Sequence, residues 1–194
     1  VWDHMAPLFQ KEKEGHMRGG FRALTIMVTA FVMIFVFAGC GDSAKSVRGE
    51  TFDGGNIEVF VPEGWKAFHG ADTFGDYDEG YDPNVVSIGK GADSELDLFS
   101  KPMMHITYSG KNRTLSMPSK ELYKDGKDIE DIRTDAHTWR GYTATSVGYP
   151  IAVLFTEDGD EQIQVAVTLE NGDEKISLED ADVLAILEGI KVKK

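Results

Sequence analysis

The residue with the most restricted chemistry in this chain is its single cysteine, Cys40. It directly follows an apolar run, residues 23–38, which Arg18 and Arg22 precede. A lone thiol forms no disulfide within its own chain and supplies no zinc site built from several cysteines. Because the two residues before it are alanine and glycine, the backbone and the sulfur are open to enzymes.

The same arrangement of positive charge, apolar core and small residues resembles a bacterial lipoprotein signal. The core is shorter than the run of about 20 apolar residues that a membrane-spanning helix needs. The resemblance implies that residues 17–39 are removed and that Cys40 carries fatty chains such as palmitate. It also implies a lipid anchor in the cell membrane, with the domain on the extracytoplasmic face. Phe37 stands where this family usually has leucine, and an uncleaved anchor helix is the open alternative.

The rest of the chain divides by composition. A start at Met17 gives a signal of ordinary length, so we predict that residues 1–16 are a non-native or mis-assigned N-terminal extension. Residues 40–50 are mostly small and polar, which predicts a flexible tether. Residues 51–194 predict one domain, which is long enough to bury a hydrophobic core.

The composition is strongly acidic. The chain has 33 aspartate and glutamate residues against 20 lysine and arginine residues, a net charge of −13. Such a surface repels nucleic acid and attracts cations or basic partners. We therefore expect no nucleic-acid partner, and solubility is the simplest role of the charge.

An acidic loop is the first place where a metal ion could bind. Its carboxylates are Asp72, Asp76, Asp78, Glu79 and Asp82. Calcium sites use several oxygen ligands, and the EF-hand template places a glycine at the sixth loop position. Counted from Asp76, the glycine here is fifth. We expect a solvated loop with no metal or cofactor; an acidic cation- or peptide-binding module using residues 72–82 is the alternative.

Catalytic patterns are weak in this sequence. Beyond the predicted signal, the histidines are His69, His105 and His137, and their spacing matches no metal-binding pair. No serine lies in a G-x-S-x-G motif that would supply a nucleophile beside a base. We predict that the protein is not an enzyme. A hydrolase with a site assembled from scattered residues is the second alternative.

Aromatic residues near the acidic loop are candidates for recognition. Trp65 and Trp139 follow or begin strand-like segments and are expected to lie in the core. Tyr77 and Tyr81 alternate with acidic residues and are expected to be exposed. These two tyrosines are the predicted recognition surface for an unknown envelope protein or small ligand.

The elements that position these residues follow from hydrophobic alternation and turn residues. Alternation and short apolar runs predict strands at residues 57–61, 85–88, 103–109, 129–132, 138–147, 151–155 and 163–169. Asp158-Gly159 between the last two strands predicts a hairpin, and Asn171-Gly172 predicts a further turn.

Two helices are predicted. Ser116, followed by a proline in the first turn, begins one helix that ends before Gly126. Ser177 and Asp180 form an S-x-x-D capping pattern before an apolar stripe that ends at Gly189. The order of elements shows no β-α-β alternation and predicts an α+β fold, an antiparallel β-sheet with helices packed on it.

Three segments resemble those of PsbP-like α/β/α sandwich proteins, which include small bacterial lipoproteins of the DcrB and LpqN type. They are residues 61–65 after the first strand, 139–142 after the middle helix and 180–190 in the last helix. The resemblance implies this fold over residues 50–193 and a binding or assembly role without catalysis. It carries no catalytic residue over to this chain. With the predicted anchor, it indicates a lipid-anchored accessory module of the cell envelope.

Overall fold

The computed structural model describes residues 33–36, 46–110, 118–158 and 161–193, of which residues 33–36, 157, 158 and 161 are described as backbone alone. Cys40, residues 1–16 and most of the predicted signal and tether lie outside the described residues. The described residues form two large antiparallel sheets, a small hairpin and one α-helix.

Most of the regular elements are strands. The strands are β1 (Met33–Val36), β2 (Ser46–Asp53), β3 (Ile57–Pro62), β4 (Trp65–Ala71), β5 (Tyr81–Lys90), β6 (Met103–Tyr108), β7 (Lys124–Asp128), β8 (Ile132–Arg133), β9 (Thr138–Ser146), β10 (Tyr149–Asp158), β11 (Glu161–Thr168), β12 (Glu170–Asn171), β13 (Glu174–Lys175) and β14 (Lys191–Val192). The helix is α1 (Ala181–Glu188).

The larger sheet has the spatial order β4-β5-β6-β11-β10-β9-β7, and β8 pairs with β9 as well. The predicted hairpin at Asp158-Gly159 is confirmed, because Asp158 pairs with Glu161 where β10 returns as β11. The predicted turn at Asn171-Gly172 is also confirmed, between β12 and β13. The antiparallel sheet that alternation predicted is therefore present.

The smaller sheet has the order β1-β2-β3-β14. Its central strand β3 matches the strand predicted at residues 57–61. Ile57, Val59 and Val61 face the larger sheet, while Phe60 on the other face is buried with Val47. Both faces of β3 are therefore covered, one by the larger sheet and the other by Val47 and Ala185 of α1.

The core lies between the sheets and against α1. Its largest fully buried side chains are Trp139, Phe60, Ile57, Ile88, Met104, Ile106, Leu154, Ile176, Ile186, Leu187, Ile190 and Val59. Trp65 is also buried, and its indole N–H donates to Asp182 at 3.2 Å. The expectation that both Trp65 and Trp139 lie in the core is confirmed.

The opposite face of the larger sheet has a smaller cluster. Tyr142, Ala144 and Val153 are buried there, with Tyr123 packed against them. The Tyr142 hydroxyl donates to the carbonyl of Pro118 at 2.6 Å. The segment before β7 therefore covers part of this face.

That segment corrects the first predicted helix. Its described part has a single short turn, Lys120–Leu122, followed directly by strand β7. Its two apolar side chains, Leu122 and Tyr123, are adjacent in sequence and lie on no common helical face. Pairing with β9 supplies backbone hydrogen bonds instead. One α-helix, rather than two, is present in the described residues.

The second predicted helix is present, with a shift at its start. Helix α1 begins after Asp180, three residues later than the predicted cap Ser177. The predicted pair does form, because the Asp180 carboxylate accepts the Ser177 N–H at 2.9 Å. It closes a separate turn before the helix, and Gly189 ends the helix as predicted.

Strand β2 begins at Ser46, within the predicted tether. Gly49 and Glu50 pair with β3, and Val47 is buried beside Phe60. Residues 33–36 of the apolar run form β1 along the edge of β2. Among the residues that the structure describes, no helix is both long and apolar enough to span a bilayer.

Candidate functional site: an acid-rimmed groove beside the helix

A cavity with a mixed polar and apolar lining lies between the β7 edge of the larger sheet and the start of α1. It has a volume of about 650 Å³. One wall is the segment from Lys127 to Ile132, and the other is formed by Leu178, Glu179 and Leu184. We call this cavity and its neighbour, described below, the groove.

Two departures from regular structure open the groove. After Asp128 the chain leaves β9, keeping one bond from the Ile129 N–H to the Gly141 carbonyl at 3.2 Å, and rejoins it at β8. On the other side, the turn closed by Asp180 and Ser177 brings Leu178 to the wall before the helix begins. The walls are thus set by a strand interruption and a pre-helical turn.

The floor of the groove is apolar. Ile129, Ile132, Leu178 and Leu184 line it, and each is half-buried. Partial burial leaves each side chain with apolar surface that a ligand can cover. Removing such surface from water is favourable at about 25 cal/mol per Å².

The rim of the groove is acidic. It carries Asp128, Glu130, Asp131 and Glu179 against one lysine, Lys127. Asp128 binds Lys120, and Asp131 lies 3.9 Å from the guanidinium of Arg140. Among the described residues, the carboxylates of Glu130 and Glu179 have no ion-pair partner.

A second cavity of about 330 Å³ extends the groove toward Pro150 and Leu169. It shares the lining residues Thr143, Leu178 and Glu179 with the first, so the two form one elongated depression. Its own charged pair is Lys175 with Glu170, 3.8 Å apart. An elongated shape suits an extended segment better than a compact small molecule.

Sequence reasoning missed the groove. Leu178 and Leu184 belong to a stripe that was expected to face the sheet, and residues 129–132 were expected to form a plain strand. The signal that marks the site is Ile129-Glu-Asp-Ile132, where two acids sit between two isoleucines. In a regular strand this pattern would place one acid on each face, which disfavours the predicted strand.

The predicted recognition loop lies elsewhere, between β4 and β5. The Tyr77 hydroxyl accepts from the Asn84 side-chain amide at 3.1 Å. The Tyr81 ring stacks on His69 with ring centroids 3.9 Å apart, and Phe52 lies beyond it at 4.7 Å. Both tyrosines are half-buried. The structure does not bring them to the groove.

The His69 ring in that stack has one unusual atom. Its Nδ1 is buried and, within the described part of the structure, has no hydrogen-bond partner. The Nε1 atom of Trp139 shares this property in the core. Packing of the His69 ring against Tyr81 and Phe52 contributes to the burial of the imidazole.

The acidic residues of the loop mainly bind their own backbone. The Asp72 carboxylate accepts the N–H groups of Asp76 at 2.9 Å and Tyr77 at 3.2 Å, and these bonds lower the pKa of Asp72. Asp82 accepts both the backbone and side-chain N–H of Asn84 at 2.9 Å. The side chains of Asp76, Asp78 and Glu79 lie on exposed positions. Over the described ranges, no three histidine, cysteine or acidic side chains are close enough to hold a metal ion.

The remaining histidines have structural partners. His105 Nδ1 lies 2.9 Å from the Ser87 hydroxyl on the outer face of the larger sheet. His137 Nε2 lies 2.9 Å from the Ile190 carbonyl, and its ring meets Trp139 edge-on. Desolvation of the imidazole against the sheet lowers the pKa of His105, although much of the side chain is exposed.

No protein-family model and no curated protein matches this chain. A crystal structure of a protein from Bacteroides thetaiotaomicron VPI-5482 is similar over 75% of this chain and 49% of that chain, with 11% identity and a TM-score of 0.40. Cyanobacterial PsbP (CyanoP) from Synechocystis sp. PCC 6803 is similar over 80% and 98%, with 11% identity and a TM-score of 0.39. The chain thus spans about half the length of the Bacteroides protein. Membership of the PsbP-like family stays a prediction.

Proposed function

We propose that this chain is a lipid-anchored, non-catalytic binding module of the cell envelope whose groove holds a basic, partly apolar segment of a partner. The observation that carries the binding role is the groove itself, with an apolar floor beneath unpaired carboxylates. The anchor is proposed from the sequence, where Cys40 follows the apolar run. In the mature form, cleavage before Cys40 would remove β1 and leave β2 as the sheet edge.

The class of partner follows from complementarity. An apolar side chain on the floor buries the half-exposed surface of Ile132 and Leu178, while lysine or arginine side chains approach Glu130 and Glu179. Opposite potentials speed association and set the register of an extended segment more than they add raw affinity. The net charge of −13 adds a long-range attraction for basic chains.

The test uses a synthetic peptide of alternating lysine and leucine as the probe, with binding to the purified mature protein followed by fluorescence anisotropy. The doubly reversed variant Glu130→Lys/Glu179→Lys should weaken binding by about three- to tenfold, because each exposed charge pair contributes up to about 1 kcal/mol. Added salt should weaken binding to the wild type in the same direction.

The matched control reverses two exposed acids outside the groove, Asp78→Lys/Glu79→Lys. This change alters the net charge equally and should leave peptide affinity near that of the wild type. Equal weakening by both variants would show that only overall acidity attracts the peptide. Weakening by the control alone would move the binding site to the loop of residues 72–82.

A further inference from the structure

The large apolar side chains that the structure leaves exposed are concentrated at one end of the larger sheet. They are Leu96, Phe99, Leu122, Val147 and Tyr149 at that end, with Phe74 in the β4–β5 loop at the opposite end. Val147 is the extreme case, with 94% of its surface exposed. Exposed apolar groups gathered on one side of a molecule mark a contact with a membrane or another protein.

Strand pairing shows that the five residues share one end. Val147 and Tyr149 lie at the turn joining β9 and β10. Leu122 lies two residues before Lys124, the first residue of β7, which pairs with Thr145 near that turn. Across the sheet, the Phe99 carbonyl accepts from Asn171 at the β12–β13 hairpin, just past the end of β11.

The chain also enters the domain at this end. Strand β2 begins at Ser46. Two residues further along this strand, the Arg48 carbonyl accepts the N–H of Glu63 at 2.9 Å, in the turn before β4. Gly64 of that turn accepts from Gly91, which follows β5 and precedes the segment bearing Leu96. Ser46 therefore lies on the same side of the molecule as the exposed apolar residues.

We infer that this end of the sheet, which we call the apolar end, rests on the lipid bilayer that holds the anchor. The inference rests on the proposed acylation of Cys40. Only residues 41–45 separate that cysteine from Ser46, so strand β2 begins within about 20 Å of the acylated residue even when the chain between them is fully extended. The opposite end, with Phe74, faces away from the membrane.

Because the anchor is so close, weak contacts are sufficient to keep the apolar end on the bilayer. A link of this length holds the domain at an effective concentration of about a millimolar or more near the surface. Valine, leucine and phenylalanine side chains then gain by entering the interfacial region, and tyrosine is enriched at that depth in membrane proteins.

Electrostatics does not supply this contact. Two lysines at the apolar end, Lys101 and Lys175, are paired with Glu174 and Glu170. The exposed apolar side chains also have acidic neighbours, Glu95 beside Leu96 and Glu121 beside Leu122, which repel anionic lipid. The bilayer surface that fits is therefore zwitterionic, and anionic lipid should weaken the contact.

The test places an environment-sensitive fluorophore on single introduced cysteines in the processed, acylated protein, reconstituted in phosphatidylcholine vesicles. Thioether formation at Cys40 leaves the introduced thiol as the one that reacts. The variants are Val147→Cys and Phe99→Cys at the apolar end, with Phe74→Cys as the matched control. Phe74 is 85% exposed and apolar but lies at the other end.

We expect blue-shifted emission, quenching by a nitroxide-bearing phosphatidylcholine and loss of quenching by iodide at Val147 and Phe99, with the reverse at Phe74. Equal iodide quenching at all three positions overturns the inference. A protein partner, rather than the bilayer, would then be the contact of the apolar end. Intact mass on the same preparation separates the two proposals. A missing acyl adduct overturns the anchor and the docking together, whereas an acylated protein with accessible labels overturns the docking alone.

Discussion

Val147 has a backbone conformation that does not suit its side chain. Its φ of 51° and the φ of 88° at Gly148 form a two-residue turn in which both central residues are left-handed. Asparagine and glycine favour that geometry in hairpins, whereas a β-branched side chain disfavours it. The side chain is exposed, so packing does not offset the strain.

Val147→Asn should therefore raise the free energy of unfolding by about 1 kcal/mol, because it relieves the left-handed strain. Urea denaturation measures the change. Val147→Thr is the control, since it is polar and keeps the β-branch, and it should give no gain. A gain of equal size with threonine would attribute the effect to removal of exposed apolar surface.

The imidazole of His105 makes stability depend on pH. Its pKa lies below the ordinary 6.5 because of desolvation, which the nearby Asp82 charge partly opposes. The native state therefore takes up this proton less readily than the unfolded state. The contribution to stability is complete above pH 6.5 and falls as the pH drops from 6.5 through the lower pKa of the native state.

The measurement is a series of urea denaturations from neutral pH downward for the wild type and His105→Gln. The wild type should lose stability more steeply below pH 6.5 than the variant does. The difference between the two proteins isolates His105 from other titrating groups. Parallel pH profiles would contradict this assignment.

Among the elements, the end of α1 has the glycine that the sequence pattern predicts, but the physical reason for a glycine there is different. Gly189 ends the helix, but its φ of −84° is not left-handed. A Cβ atom at this position would lie 2.3 Å from Cβ of Phe60 on β3. Glycine is needed here so that the helix terminus can approach the strand closely.

Gly189→Ala should accordingly destabilise the protein by about 1–3 kcal/mol through overpacking. Thermal or urea unfolding gives the value. A double-mutant cycle with Phe60→Gly supplies the control, because it removes the Cβ atom with which the new methyl group would clash. The double variant should be less destabilised than the sum of the two single variants; simple additivity would exclude this contact as the cause.

For the whole molecule, the groove and the apolar end are separate surfaces on one domain. The groove runs along the β7 edge of the larger sheet, and its second cavity reaches Pro150 near the apolar end. A domain resting on that end would present the first cavity, with Glu130 and Leu184, to the side. This orientation suits a module that binds a neighbour in the same membrane.

Cys40→Ser should move the protein from the membrane fraction to a soluble or unprocessed form, because the sulfur that would receive the lipid is gone. Cell fractionation with immunoblotting measures the shift. Ser43→Ala, a change within the tether that leaves the thiol, is the control and should fractionate as the wild type does. Unchanged membrane association and processing of Cys40→Ser would contradict the lipid anchor.

Local pattern determined much of the fold. Alternation in residues 57–61, 103–109 and 163–169 identified strands because one face of each had to be apolar whatever it packed against. Asp158-Gly159 identified the hairpin because turn geometry depends on few residues. The helix predicted from Ser116 had no such stripe, and its described part follows the neighbouring strand instead.

The candidate site and the apolar end came only from the tertiary structure. Ile129 and Leu184 lie far apart in sequence, and they share a groove because β7 leaves β9 where the pre-helical turn approaches it. Leu96, Leu122 and Val147 share one end because the antiparallel strand order brings their separate turns together. Sequence periodicity states which face of each element is apolar; long-range pairing decides which strand ends meet and which apolar surface is left uncovered.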